Sequence, residues 1–259
     1  MHPPPRPPQP LLDWTVLSLR PRGQHGSLRA AANRRGACVL ALSPFAIEPL
    51  ADPHHRRALA QALAADILVW TSPNAVRSAA SLQRLAARRG QAWLAVGSGT
   101  RRALLRAGID AQAPSRMDSE GLLAMPALRD VRGLGVGLVT APGGRGLLAA
   151  SLAKRGAHIL RADVYTRRQI PFSGRSLAAL DAALATPGRV LLALSSQEAL
   201  QQLLVARPIQ VHRALDKIAV VAASQRLADA GREAGFRRIT VATSATPGAL
   251  LKAATSAFV

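Results

Sequence analysis

LVWTSPNAVRSAA, Leu68 to Ala80, is the stretch whose reading decides the fold. An apolar run stops at Thr71-Ser72 and a helix-like run begins at once. Short apolar runs bounded by turn residues read as buried strands, and longer amphipathic runs read as helices. The same grammar recurs along the chain. It predicts strands at Thr15–Leu19, Cys38–Leu42, Ile67–Trp70, Ala92–Val96, Gly135–Thr140, His158–Tyr165, Arg189–Leu194, Lys217–Ala222 and Arg238–Ala242. It predicts helices at 26–35, 74–89, 100–107, 119–128, 146–155, 176–185, 197–205, 225–234 and 246–258. His54-His55 reads as an exposed helix start. Gly36, Gly90, Gly108, Gly156 and Gly235 each follow a helical run and read as helix stops.

Alternation of strand and helix implies parallel sheets covered by helices, an α/β fold. Nine strands suit two sheets of four or five, flavodoxin- or Rossmann-like. Two extended segments, Ser43–Pro49 and Val164–Pro171, read as connections between domains. Two connections place one domain inside the other: 13–44 with 170–259 as the first domain, 47–166 as the second, inserted one. Residues 1–12, MHPPPRPPQPLL, read as a Pro-rich disordered tail.

The core must be aliphatic, since apolar residues make up 49% of the chain and aromatics only 3%. The formal charge is +20. Nearly all of it is arginine, with lysine only at Lys154, Lys217 and Lys252. An anionic partner and a plain compositional bias both account for that balance. The arginines come in pairs near helix ends, as dipole-compensating charge does, and aromatic residues to stack on bases are scarce. No nucleic-acid partner is expected. Cys38, the one cysteine, lies in the apolar run CVLAL and reads as a buried structural thiol. No secretory leader and no run long enough to span a bilayer is visible, so no membrane partner and a cytoplasmic setting are expected.

The turn of small or hydroxyl residues between strand and helix recurs at Thr71-Ser72, Gly97–Thr100, Thr140–Gly144, Ser195-Ser196, Ala223-Ser224 and Thr243-Ser244. In parallel α/β sheets such turns lie at the carboxyl ends of strands, where ligands bind. Each helix start offers unpaired N–H groups, and Ser or Thr there both caps the helix and can donate to an anion. Two such edges facing each other would suit a large polyanion; taken singly, each is an ordinary cap. GSGTRR at 97–102 lacks the third glycine of a dinucleotide fingerprint, and GLGVG at 133–137 precedes a strand instead of following it. No metal site, no cofactor and no carboxylate pair is indicated.

Taken together, these blocks resemble the uroporphyrinogen-III synthase family. The resemblance is carried by the opening VLSLRPRGQHGSLRAAANRRGACVLALSPFAIEP, by DILVWTSPNAVRS, by AVGSGTRRALLRAGI, and by GLVTAPGGRGLLAASLAKRGAHILRADVYTR. LLALSSQEALQQLL and VVAASQRLADAGREAGF continue it, in order, over most of the chain. It implies two discontinuous α/β domains joined by a two-stranded ladder, with the active site in the cleft. It also implies a cofactor-free monomer whose substrate is hydroxymethylbilane, a linear polycarboxylate tetrapyrrole. That substrate loses water and closes with inversion of ring D through a spiro intermediate. Tyr165, the only tyrosine, is the candidate general acid, with hinge packing as its other reading. Thr71, Ser72, Thr100, Ser195, Ser196 and Ser224 are candidate donors to substrate carboxylates. Arg20 and Arg145 follow strand ends and are candidate carboxylate partners or plain surface charges. Ala222-Ala223 departs from the family's usual residues there. A non-catalytic polyanion binder is the alternative function.

Overall fold

The computed structural model describes residues 9–116, 119–143 and 146–259. The chain opens with β1 (Thr15–Ser18), α1 (Gly26–Asn33), β2 (Cys38–Ala41) and β3 (Phe45–Pro49). It continues through α2 (Pro53–Leu63), β4 (Ile67–Trp70), α3 (Pro73–Leu82), β5 (Ala92–Ala95), α4 (Ser98–Arg106) and α5 (Ser119–Leu123). Then come a 3₁₀ turn (Pro126–Leu128), β6 (Gly135–Thr140), α6 (Gly146–Lys154), β7 (His158–Asp163) and β8 (Tyr165–Gln169). The last part is α7 (Gly174–Leu184), a 3₁₀ turn (Pro187–Arg189), β9 (Val190–Leu194), α8 (Gln197–Ala206), α9 (Pro208–His212), β10 (Ala219–Ala222), α10 (Gln225–Glu233), β11 (Arg238–Val241) and α11 (Pro247–Phe258).

The chain divides into two units, Met1–Ala46 with Arg168–Val259, and Ile47–Arg167. The first holds a five-stranded sheet in the order β11-β10-β9-β1-β2, and the second a four-stranded sheet in the order β5-β4-β6-β7. Every pairing recorded in both sheets is parallel. β3 and β8 form a separate two-stranded ladder. Ile170 N–H donates to Pro44 O at 2.9 Å and Leu50 N–H to Val164 O at 3.0 Å. Rising numbers on one strand therefore meet falling numbers on the other, and the ladder is antiparallel.

Each sheet is buried on both faces, as parallel sheets are. In β9, Val190, Leu192 and Leu194 enter one core cluster, while Leu191 and Ala193 enter the cluster on the opposite face. In β4, Leu68 and Trp70 face a cluster under α2, α3 and α4, and Ile67 and Val69 face the cluster under α5 and α6. Trp70 stacks on Trp93, ring centroids 5.5 Å apart. Leu11 is fully buried in the first unit and its N–H donates to Arg35 O at 2.8 Å, so that core already takes in the residues before β1. The rest of the expected tail, residues 1–8, lies outside the described residues.

The backbone differs from the sequence reading in places, each with a physical reason. The helix expected over 74–89 stops at Leu82, where Gln83 turns extended at φ −161° and ψ 161°. Arg88 and Gln91 side chains then donate to Leu63 O at 3.1 and 3.0 Å, and Gln91 also donates to Ala65 O at 2.7 Å. These distant bonds override the helix propensity of an Arg- and Ala-rich run. Gly90 thus sits in a turn and is no helix stop. The run His158–Tyr165 is two strands, because β7 pairs with β6 only as far as Asp163 and the chain then joins the ladder. The helix expected over 119–128 breaks after Leu123. α9 was not anticipated as a helix, and of α2 only the start at His54-His55 was. Cys38 is exposed, not buried. β2 is an edge strand, so its first residue lacks a neighbouring strand on one side.

Candidate active site

The repeated hydroxyl turn has a local explanation. Ser72 accepts from Ala75 N–H at 3.0 Å, Ser196 from Ala199 N–H at 3.3 Å, and Ser224 from Leu227 N–H at 3.4 Å. Each is the N-cap of the helix that follows its strand. Capping uses the oxygen lone pairs, and the hydroxyl proton remains to be donated elsewhere. A cap and a ligand donor are therefore compatible roles for one side chain.

Topology singles out two of these turns. In the first unit β1 leads outward to β2 while β9, β10 and β11 extend the other way, so the strand order switches between β1 and β9. In the second unit it switches between β4 and β6. A crevice opens outside the carboxyl ends of strands at such a point, because the two helices leave on opposite faces. Arg20 follows β1 and Ser195-Ser196 follow β9. Thr71-Ser72 follow β4, and Thr140 ends β6.

The rim of the second unit is a cluster of hydroxyls. Thr71 donates to Thr140 Oγ1 at 2.9 Å, and to Val139 O at 3.3 Å. Tyr165 Oη lies 3.1 Å from Ser72 Oγ. Tyr165 is 7% exposed, its ring packed into the core beside Val164. Val164 N–H donates to Thr140 O at 3.1 Å, which holds the start of β8 to the end of β6. Thr100 is buried in the first turn of α4, beyond the end of β5. Nearby, Arg161 is clasped by Asp163 and donates to Ala141 O at 3.0 Å, bracing the turn after β6.

The rim of the first unit is charged. Arg20 is half-buried and donates through Nη2 to Ala245 O at 3.3 Å. Among the described residues no carboxylate pairs with it. Burial pushes its guanidinium below the ordinary value, yet an arginine stays cationic at any physiological pH. A half-buried cation with spare donors calls for an anion. Ser195 and Ser196 are half-buried after β9, and Ser224 is exposed after β10.

The structure thus gathers Thr71, Ser72 and Tyr165 at one rim, with Thr100 on the neighbouring helix. It places Arg20, Ser195, Ser196 and Ser224 along the other rim. Arg145 and its neighbour Gly144 lie outside the described residues. Thr140 was legible as a turn residue but not as Thr71's partner. Ser18 and His25, at the first rim, were not legible at all; a lone His and a strand Ser carry no spacing signal. Among the described residues no group of three His, Cys, Asp or Glu side chains is placed to hold a metal ion.

Two parallel sheets, each with a polar switch point and joined by a β-ladder, define a two-unit α/β protein with hydroxyl- and arginine-bearing rims. A family model described as uroporphyrinogen-III synthase HemD matches residues 26–252, and the chain belongs to that family. It is 34% identical over 165 residues to the uroporphyrinogen-III synthase of Salmonella typhimurium strain LT2, covering 62% of this chain and 65% of that protein. It is 34% identical over 138 residues to the Escherichia coli K12 protein of the same name, covering 52% and 54%. Just under two thirds and about half of those proteins' lengths are thus spanned. Among solved structures, a mutant uroporphyrinogen III synthase from the extremely thermophilic bacterium Thermus thermophilus superposes with a TM-score of 0.58 at 25% identity, over 94% of this chain and 98% of that one. The uroporphyrinogen-III synthetase of Helicobacter pylori 26695 shares the fold, with a TM-score of 0.55 at 15% identity and the same coverage.

Proposed function

We propose that this protein is a uroporphyrinogen-III synthase, a lyase that closes hydroxymethylbilane to uroporphyrinogen III with inversion of ring D and loss of water. The observation that carries the reading is the family match over residues 26–252. The rims supply chemistry suited to it. A linear polycarboxylate asks for many dispersed donors. Arg20, Ser195, Ser196 and Ser224 take that role here, together with Arg145, while Thr71, whose proton goes to Thr140, and the buried Thr100 shape the second rim.

The chemical step needs a proton. The substrate's terminal C–O bond breaks, and the leaving hydroxyl takes a proton to depart as water. The organic fragment becomes a cationic azafulvene. Tyr165 is the proton donor in this reading, its phenol oriented by Ser72. The azafulvene carbon bonds to the substituted α-carbon of ring D, giving the spiro intermediate. The older bond from that carbon to the methylene of ring C then breaks, leaving a second azafulvene there. This methylene bonds to the free α-carbon of ring D, which inverts the ring. Closure releases one proton, which returns to the Tyr165 oxygen. The balance is loss of one water, with no oxidant or reductant. Holding the two substrate ends in reach supplies the rest of the acceleration.

We further propose a cytoplasmic monomer, the setting expected from the sequence. A single exposed cysteine offers no intrachain disulfide. Among the described residues no helix is long and apolar enough to cross a membrane. The test of function is to add hydroxymethylbilane and oxidise the product. Porphyrin of isomer III above the spontaneous isomer I supports catalysis. Tight binding with isomer I alone identifies a polyanion binder instead.

A further inference from the structure

His25 stands at the rim of the five-stranded sheet, and the chemistry above makes no use of it. It is 6% exposed, immediately before α1. Its ring spans two hydroxyls: Nδ1 lies 2.8 Å from Ser18 Oγ, and Nε2 lies 2.8 Å from Ser43 Oγ. Ser18 ends β1 and is 0% exposed. Ser43 lies two residues past the end of β2. The imidazole therefore fastens together the carboxyl ends of two neighbouring strands.

A buried imidazole is tolerated because both nitrogens are paired. Burial, and then the nearby Arg29 and Arg20 charges, hold it below its usual value and so uncharged at neutral pH. A neutral ring donates through one nitrogen and accepts at the other, so the two serines take opposite roles. Between Ser18 and His25 the chain turns, and Arg20 is on that turn. The turn is held at its two ends by the imidazole bridge and in its middle by Arg22 N–H donating to Phe45 O at 2.8 Å. Among the described residues, the Arg20 guanidinium itself has only the 3.3 Å bond to Ala245 O. The rim's cation is thus placed by its backbone, and the backbone is placed by the ring.

We propose that His25 is a positioning residue for Arg20, setting where the guanidinium meets a substrate carboxylate by locking Ser18 to Ser43. The proposal rests on Arg20 as a carboxylate-binding residue in the function proposed above. An apolar residue of similar size would fill the space but leave the Ser18 hydroxyl buried and unpaired. The turn would then lose one of its fixed ends.

A double-mutant cycle on the full chain tests this, with hydroxymethylbilane as substrate and the melting temperature of each variant recorded. His25→Leu should raise KM by about three- to tenfold, the size of coupling between residues in one network, and leave kcat within about twofold. In an Arg20→Gln background the same change should raise KM no further. Ser43→Ala, which removes one of the two bonds and is mild enough to fold, should repeat the pattern. An equal KM increase in both backgrounds would show His25 to be merely structural and overturn the proposal; so would an unchanged KM in His25→Leu. If Arg20→Gln leaves KM unchanged, the Arg20 reading itself fails. If the wild-type chain yields only isomer I, the proposed function fails, so the three failures are distinguishable.

Discussion

Tyr165 Oη lies 3.1 Å from Ser72 Oγ, and that contact ties the first residue of β8 to the N-cap of α3. Ser72 meanwhile accepts from Ala75 N–H. One hydroxyl thus starts a helix and aims a phenol. The pair gives the second rim a proton-bearing group whose position is fixed by two secondary-structure elements.

Removing only the phenol oxygen separates chemistry from packing. The ring of Tyr165 belongs to the core cluster, and Tyr165→Phe keeps it there. Turnover should fall by about 10²-fold, the low end of what a positioned acid supplies. KM should stay within about threefold if binding rests on the other donors, as proposed. Steady-state kinetics with isomer analysis checks it; unchanged turnover would reduce Tyr165 to a packing role.

Ser72→Ala should act twice. Losing the cap costs ~1 kcal/mol of stability, read as a lower midpoint in urea unfolding. Losing the phenol's partner should slow turnover, but by less than Tyr165→Phe. In the double variant the kinetic loss should match Tyr165→Phe alone, since the serine acts through the tyrosine. Additive losses would mean that Ser72 contacts substrate independently.

Arg20→Gln should raise KM with little change in kcat, because a contact to a carboxylate that takes no part in the bond changes is made equally in ground and transition states. Its effect on stability should stay within ~1 kcal/mol, since only one long bond to a carbonyl is lost. The wild-type KM should rise with salt more steeply than that of the variant, as screening weakens a partly exposed ion pair. Parallel salt curves would remove Arg20 from the binding rim.

Acid should weaken the first unit through His25. Its folded value is lowered, by burial first and by Arg29 and Arg20 after it. The fold therefore favours the neutral ring. That stability is fully present above the unfolded value of about 6.5 and is lost as pH falls through the folded one. Asp52 is lowered by hydrogen bonds from His55 and His54; its contribution is lost only at lower pH, below the ordinary carboxylate range. The melting temperature of the wild type should start to decline just below pH 6.5, and His25→Gln should flatten that first decline. A wild type and variant with parallel curves would contradict it.

Close approach of helix to sheet predicts a severe effect at Gly137. A Cβ there would lie 2.1 Å from Ala62 O of α2, a backbone atom that cannot swing aside. Gly137→Ala should cost ~3 kcal/mol, the upper range for overpacking, or abolish folding. A thermal melt like the wild type's would show that α2 can shift freely on β6.

Much of the architecture was legible because strand and helix alternate with clear punctuation. β4 and β6 were read to the residue, since Ile67–Trp70 and Gly135–Thr140 are apolar runs ended by hydroxyls. Only the start of α2, at His54-His55, was legible; its extent escaped because its buried face rests on Leu59 and Ala62 alone, and an alanine gives little contrast against an Ala-rich background. α3 was overextended because nothing local announces that Gln91 and Arg88 will bond to α2's last carbonyl. The division of His158–Gln169 between two sheets is set by partner strands, which a single run cannot display. At the site, caps such as Ser72 and Ser196 were visible from their place before a helix. The Thr71–Thr140 and Ser18–His25–Ser43 contacts join residues apart in sequence, and only the fold brings them together.

The most direct measurement is a single-turnover isomer analysis of the wild type beside Tyr165→Phe, each in excess over hydroxymethylbilane. The account predicts mainly isomer III from the wild type. From Tyr165→Phe it predicts slow conversion with isomer I accumulating, despite retained binding. Isomer I alone from the wild type, or isomer III at equal rates from both proteins, would contradict it.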